Sequence, residues 1–218
     1  MMKNVAIILS GCGVFDGAEI FESVITLLAL DARGAKYQCF APDMQQHHVI
    51  NHLTGEVMEG ESRNVLVEAA RIARGDIKEL KELNVDDYDA LILPGGFGAA
   101  KNLSDFAIKG ADCTIHPDVE AICKAFAEKR KPAGYLCIAP AMLARIYGSK
   151  VKMTIGNDAE TAEAVEAMGA IHIECAVTDV VEDRDCKLIT TPAYMLAKNI
   201  GEAATGINKL VDKVLEMA

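Results

Sequence analysis

The stretch Lys131-Pro-Ala-Gly-Tyr-Leu-Cys-Ile-Ala-Pro-Ala-Met-Leu-Ala-Arg-Ile-Tyr147 limits the fold more than any other part of the chain. Its first half, Ala133 to Leu136, is short and apolar and follows a proline, which fits a strand buried on both faces, as in parallel sheets. From Pro140 onward the spacing of Met142, Leu143 and Ile146 is helical. Pro140 is acceptable there only in the first turn, where its missing N–H would have had no partner. Cys137 therefore lies in a tight turn between a strand end and a helix start. Such a turn lifts a side chain above the sheet and directs backbone N–H groups at it, as in a nucleophile elbow. The field at a helix N-terminus also favours thiolate over thiol. Cys137 is the first candidate for a reactive group, with a buried structural thiol as the alternative.

The rest of the chain alternates in the same way. Val5–Leu9 reads as a first strand, too short for a signal-peptide core or a membrane span. A glycine-rich turn, Ser10-Gly-Cys-Gly-Val-Phe-Asp-Gly17, then leads into a helix over 18–32. Ile20, Val24, Leu27 and Leu28 are spaced as its inner face, with Asp16 as N-cap and Glu19 as capping-box partner. Lys36–Pro42 is a strand and 62–74 a helix with Val65, Leu66, Ala69 and Ile72 inward, while 76–87 is charged and irregular. Asp89–Leu93 is a buried strand followed by a double-glycine turn running to Leu103. A loop over 104–117 precedes a helix over 118–129. Strands are expected at 151–154, 171–173 and 177–181. Asp158–Met168 is a helix stopped by Gly169, and Lys187–Thr191 returns as a hairpin partner across a turn at 183–185. A final helix covers 199–217. Strands alternating with helices mean an α/β fold with a mainly parallel sheet, and with no linker or repeat the 218 residues read as one domain.

Composition narrows the partners. A net charge of −10 argues against nucleic acid or an anionic membrane surface. Seven cysteines with no C-x-x-C pair point to a reducing compartment; cytoplasm is the default, an organelle matrix the alternative if a leader has been removed. The G-x-G-x-x-x-G spacing of the first turn is wrong for a dinucleotide fingerprint, and no acidic residue closes the next strand. No Gly-Lys-Ser/Thr follows the second glycine turn, so a Walker phosphate loop is excluded. His47, His48 and His52, with Glu56 and Glu59, read as a polar surface insertion, since only His48 and His52 have helical ligand spacing. No cofactor and no metal are expected.

Ligands of open α/β sheets bind at the carboxyl ends of the strands. Three turns belong to that edge: Ser10–Gly17, Pro94–Lys101 and Cys137–Pro140. Gly95 and Gly96 let backbone N–H groups approach an anion closely. Glu19 and Glu22 lie near the start of the first helix, and either can lean toward Cys137 to hold or move a proton.

These residues carry a resemblance. Gly17-Ala-Glu-Ile-Phe-Glu-Ser-Val24, Leu93-Pro-Gly-Gly96 and Cys137-Ile-Ala-Pro140 resemble the PfpI superfamily, which includes the Parkinson-disease protein deglycase and class I glutamine-amidotransferase-like domains. Ser10-Gly-Cys-Gly-Val14, Ile50-Asn-His-Leu-Thr-Gly-Glu56, Gly95-Gly-Phe-Gly-Ala-Ala-Lys-Asn-Leu103 and Thr190-Thr-Pro-Ala-Tyr-Met-Leu196 resemble its ElbB branch, the isoprenoid-biosynthesis glyoxalases. The resemblance runs nearly end to end. It implies a flavodoxin-like three-layer sandwich that dimerises, with Cys137 as nucleophile and Glu22 as the glutamate that contacts it. Gly96 and Ile138, beside Gly95, would supply oxyanion N–H groups. It further implies a weak, glutathione-independent lyase converting 2-oxoaldehydes such as methylglyoxal or glyoxal to 2-hydroxy acids. The link to isoprenoid synthesis rests on the branch name and on no residue.

The chain also departs from the wider superfamily. Peptidases of the PfpI type have His after the nucleophile, where this chain has Ile138. The amidotransferase and deglycase His after the next strand is missing from Thr154-Ile-Gly-Asn157. Expelling an amine needs such an acid, so peptide and glutamine hydrolysis are disfavoured, as is an amidotransferase subunit. Glyoxalase chemistry expels no amine. The competing expectation is a redox-responsive regulatory protein, in which Cys137 is oxidised to a sulfinate and Cys12 serves as a second thiol.

Overall fold

A computed structural model describes residues 2–218. β1 (Asn4–Ile8) is the strand expected around Val5–Leu9. It is followed by α1 (Ile20–Ala32), β2 (Lys36–Ala41), α2 (Val65–Ile72), β3 (Ile77–Glu79), β4 (Ala90–Leu93), α3 (Phe97–Lys101) and α4 (Phe106–Lys109). The second half adds α5 (Pro117–Glu128), β5 (Ala133–Leu136), α6 (Leu143–Tyr147), β6 (Lys152–Met153), α7 (Ala159–Ala167), β7 (Ile171–His172), β8 (Val181–Asp183), β9 (Leu188–Thr191) and α8 (Ile200–Met217).

Seven strands form one sheet in the order β3-β2-β1-β4-β5-β9-β8. Every neighbouring pair is parallel except β8 with β9, the expected hairpin. Alternating residues feed two cores. Val5, Ile7, Ala90 and Ile92 pack with α1, α2 and α8; Ala6, Ile8, Leu91 and Leu93 pack with α5 and the segments around it. This is the expected α/β flavodoxin-like sandwich. The chain winds outward from β1 to β3, then restarts at β4 on the other side of β1. Strand order thus reverses between β1 and β4, and a crevice opens at their carboxyl ends.

Several elements differ from their expected form, each for a physical reason. Glu19, not Asp16, caps α1, its carboxylate accepting the Glu22 N–H at 2.6 Å. Asp16 turns away to accept the Ile50 N–H at 2.8 Å. Of the apolar residues spaced along α1, Leu27 packs against the core while Ile20, Val24 and Leu28 are exposed, and Glu22, Ser23, Ile25, Thr26, Ala29 and Leu30 are buried. The small and hydroxyl side chains allow this, because Ser23 and Thr26 satisfy their own O–H groups on the Glu19 and Glu22 carbonyls. The span 76–87, read as irregular, holds β3, a short parallel edge strand pairing with Cys39–Ala41. Strand 177–181 is displaced to 181–183, where it pairs with β9. β6 and β7 pair only with each other, in a separate parallel ribbon. Helices α3 and α4 occupy stretches read as turn and loop. The segment 43–60 is no simple surface insertion, since Gln46, Val49 and Ile50 are buried beneath it.

α8 sits against the sheet through glycine. A Cβ on Gly206 would come within 2.4 Å of the Val177 carbonyl oxygen and 2.7 Å of Thr191 Oγ1. Glycine inside a helix ordinarily costs about 0.5–1 kcal/mol relative to alanine, so Gly206→Ala would ordinarily stabilise. Here the backbone contact reverses the sign: the variant is expected to lose about 1–3 kcal/mol through overpacking, read as a lower urea midpoint with an unchanged slope.

Candidate functional site

The site is built on backbone that ordinary residues avoid. Cys137 N–H donates to the Thr191 carbonyl at 3.0 Å, the last rung of the β5–β9 ladder. The chain then turns with Cys137 at φ +60°, a left-handed conformation costing roughly 1–2 kcal/mol for a residue with a Cβ. A 3₁₀ turn, Ala139–Met142, follows with Pro140 in its first turn, and only then α6. The thiol is buried beneath this elbow.

Glu22 is the glutamate that reaches the sulfur. It is 0 % exposed, and its carboxyl shares the space over Gly95 with Cys137: a Cβ on that glycine would lie 3.0 Å from Glu22 Oε2 and 2.5 Å from Cys137 Cβ. Its Oε2 accepts the Gly95 N–H at 2.8 Å and its Oε1 the Tyr194 N–H at 3.1 Å. Glu19 is occupied in capping α1, which decides between the two candidates. Gly95 is required by space, since a Cβ there would lie 2.5 Å from Cys137 Cβ and 2.9 Å from the Leu136 carbonyl oxygen. The N–H groups of Gly96 and Ile138 are both directed at the sulfur. Cys137, Glu22, Gly95, Gly96 and Ile138 are therefore gathered at one point.

Cys12 is not gathered with them. The charged groups around it are Glu68, Arg71, Asp16 and Arg63, and it does not line the cleft that Cys137 opens into. The three histidines of segment 43–60 form no metal cluster: among the described residues no group of three or more His, Cys, Asp or Glu can hold an ion. His52 instead accepts the Phe15 N–H at 3.2 Å and braces the glycine-rich turn.

Electrostatics correct one expectation. Burial, then the adjacent Glu22 carboxylate, push the Cys137 thiol well above its ordinary value, although the Gly96 and Ile138 N–H groups pull the other way. The 3₁₀ turn after the elbow offers no long aligned helix to offset this. Burial, with the Glu19 charge adding to it, raises Glu22 from 4.5 to about 7, against the hydrogen bonds from Tyr194, Gly95 and Cys137. The two groups titrate as a pair. Protonating Glu22 removes both ways in which it disfavours thiolate, so the thiolate belongs to the form in which the carboxyl carries the proton.

Two contributors had no role in the sequence reading. Tyr194 N–H is aimed at Glu22 by Ala193, held at φ +44°; the Thr190–Leu196 motif contained both, but nothing in it announced a backbone donor. Asn102 ties the glycine-rich turn to its neighbours, donating to the Ser10 and Asp16 carbonyls and accepting the His47 N–H.

Cys137 opens into a cleft of about 530 Å³, walled by Val14, Phe97, Phe106, Ile138, Ala164 and Met195. Glu19, Glu160, Thr161 and Tyr194 also line it, and no Lys, Arg or His does. His172 sits against the stretch where a catalytic His was missed, accepting the Ile155 N–H at 3.4 Å, but it is not part of the cleft wall.

Residues 12–195 match the DJ-1/PfpI family model. The ES1 protein homolog, mitochondrial, of Rattus norvegicus is 47% identical, covering 98% of this chain and 84% of its own length. The glutamine amidotransferase-like class 1 domain-containing protein 3, mitochondrial, of Homo sapiens is also 47% identical, over 98% and 83%. A crystal structure of an isoprenoid biosynthesis protein with an amidotransferase-like domain, from Ehrlichia chaffeensis, superposes with TM-score 0.92 at 35% identity, covering 99% of both chains. The cytoplasmic expectation does not stand against relatives that are named mitochondrial proteins. No helix of the described residues is long and apolar enough to cross a membrane.

The raised Glu22 carboxyl has a consequence for stability. Its folded-state value of about 7 exceeds the ordinary 4.5, so the folded chain holds the extra proton between those values. The contribution is fully present below pH 4.5 and is lost as pH rises through about 7, up to roughly 3 kcal/mol at 1.36 kcal/mol per unit. Urea unfolding at pH 5 and pH 8 should show wild type losing stability across this range and Glu22→Gln losing markedly less.

Proposed function

The chain belongs to the DJ-1/PfpI family, and from the pairing of Cys137 with Glu22 we propose that it is a cofactor-free, glutathione-independent glyoxalase. The observation that carries this reading is the fully buried Glu22 carboxyl, raised to about 7 and set behind the elbow thiol, which itself opens into a cleft whose walls contain no histidine. Such a pair suits a reaction that moves protons between adjacent carbons and expels no amine.

In this reading Cys137 sulfur, as thiolate, adds to the aldehyde carbon of a 2-oxoaldehyde, and the carbonyl oxygen takes up the proton held by Glu22, giving a hemithioacetal and a Glu22 carboxylate. The N–H groups of Gly96 and Ile138 face the charge that develops there. The Glu22 carboxylate removes the proton on C1 and returns one to C2. C1 is thereby oxidised to a thioester and C2 reduced to an alcohol, with no external oxidant or reductant. Water then cleaves the thioester, releasing a 2-hydroxy acid and restoring the thiol. Substrate, water and product balance.

The exposed apolar stripe of α1, Ile20, Phe21, Val24 and Leu28, supports a homodimer as part of the same proposal. Solvent-facing apolar residues grouped in this way mark interaction surfaces more often than single ones do.

Two measurements follow. With methylglyoxal as substrate, Cys137→Ala should abolish turnover with the circular dichroism spectrum unchanged, and Glu22→Gln should lower kcat about 10²–10⁴-fold; full activity in either variant rejects the dyad. By light scattering the wild-type chain should have twice the mass of one chain, and the double variant Val24→Asp, Leu28→Asp the mass of one.

A further inference from the structure

We infer that the cleft selects aldehydes bearing a bulky, uncharged, apolar substituent, and that it discriminates against anionic ones. This rests on the glyoxalase reading for the reacting group, and on the cleft alone for the remainder of the molecule. The volume of about 530 Å³ falls in the range of clefts that enclose drug-sized ligands, ~300–1,000 Å³. A three-carbon aldehyde on Cys137 would fill little of it.

The wall is made by apolar side chains from five parts of the fold: Val14 in the glycine-rich turn, Phe97 on α3, Phe106 on α4, Ala164 on α7, and Met195 after β9. The ionisable side chains on the wall are Glu19, Glu160, Tyr194 and Cys137, with no cation to oppose them. Lys101 packs on Phe97 of the wall but does not itself line the cleft. Its Nζ lies 4.8 Å from the Phe97 ring centroid and donates to the Phe15 carbonyl at 3.4 Å. A carboxylate or phosphate entering the cleft would shed water and find two carboxylates and no partner. An alkyl or aryl group would find a matching surface. The same arrangement expels the anionic hydroxy acid once it forms.

The test separates this inference from the glyoxalase reading. Cys137 alkylation is followed by peptide mass mapping with iodoacetamide, N-hexyliodoacetamide and iodoacetate, each rate divided by that of the same reagent with glutathione. The hexyl reagent should be at least about tenfold faster than iodoacetamide, and iodoacetate at least tenfold slower. Ala164→Phe, which narrows the cleft, should erase most of the hexyl advantage. Equal corrected rates for all three reagents would overturn the inference. Turnover is measured in parallel with methylglyoxal, phenylglyoxal and 4-carboxyphenylglyoxal, an anionic 2-oxoaldehyde of nearly the same shape, and kcat/KM should rank phenylglyoxal first and 4-carboxyphenylglyoxal last. A hexyl preference without turnover of any 2-oxoaldehyde upholds the cleft's selectivity and defeats the glyoxalase reading. Turnover of methylglyoxal with no preference in either series does the reverse.

Discussion

The buried Glu22 carboxyl is the constraint around which the rest of the site is arranged. A carboxyl group with no access to water is costly unless its oxygens are met by donors, and here each oxygen receives a backbone N–H, from Gly95 and from Tyr194. Those donors come from turns after β4 and β9, while the carboxyl comes from α1 after β1. One side chain thus holds three crossovers in register at the carboxyl edge of the sheet. The strain at Cys137 and Ala193 is spent in the same place. It turns a sulfur and an N–H toward a group that would otherwise have no company.

The pairing also explains why the thiol is held in reserve. Two acids forced together in a dry pocket cannot both ionise easily, and both are pushed upward here, Glu22 to about 7 and the Cys137 thiol well above its ordinary value. Burial beside a carboxyl makes reactivity conditional on the partner's protonation.

Much of this was legible in the residues, because local chemistry announces itself. The strand, tight turn and proline around Cys137, the double glycine at 95–96 and the alternation of short apolar runs with helical ones each have one sensible structural outcome. The candidates Cys137, Glu22, Gly95, Gly96 and Ile138 converge in the fold. What was illegible was of two kinds. The apolar spacing of α1 did not mark its buried face, because Ser23, Thr26 and Ala29 are buried for their small size and Glu22 because backbone N–H groups meet its oxygens. Hydropathy cannot register either reason. Backbone donors such as Tyr194 N–H carry no side-chain signature at all. The resemblance selected Glu22 over Glu19, and the cap at Glu19 supplies the physical cause.

The spacing of these parts along the chain governs when the site can come into being. A growing polypeptide presents Glu22 early and Tyr194 only shortly before α8, and the two ends of that hydrogen bond are 172 positions apart. Until β9 docks beside β5, the carboxyl lacks one of its two backbone donors and the elbow lacks the Thr191 carbonyl that closes its ladder. Any partly folded state missing the C-terminal quarter must therefore leave Glu22 hydrated and ionised, and its thiol neighbour unheld. Docking of β9 beside β5 and the second backbone hydrogen bond to Glu22 therefore come from the same stretch of chain. A truncated chain would be without a site, rather than possessing a weaker one.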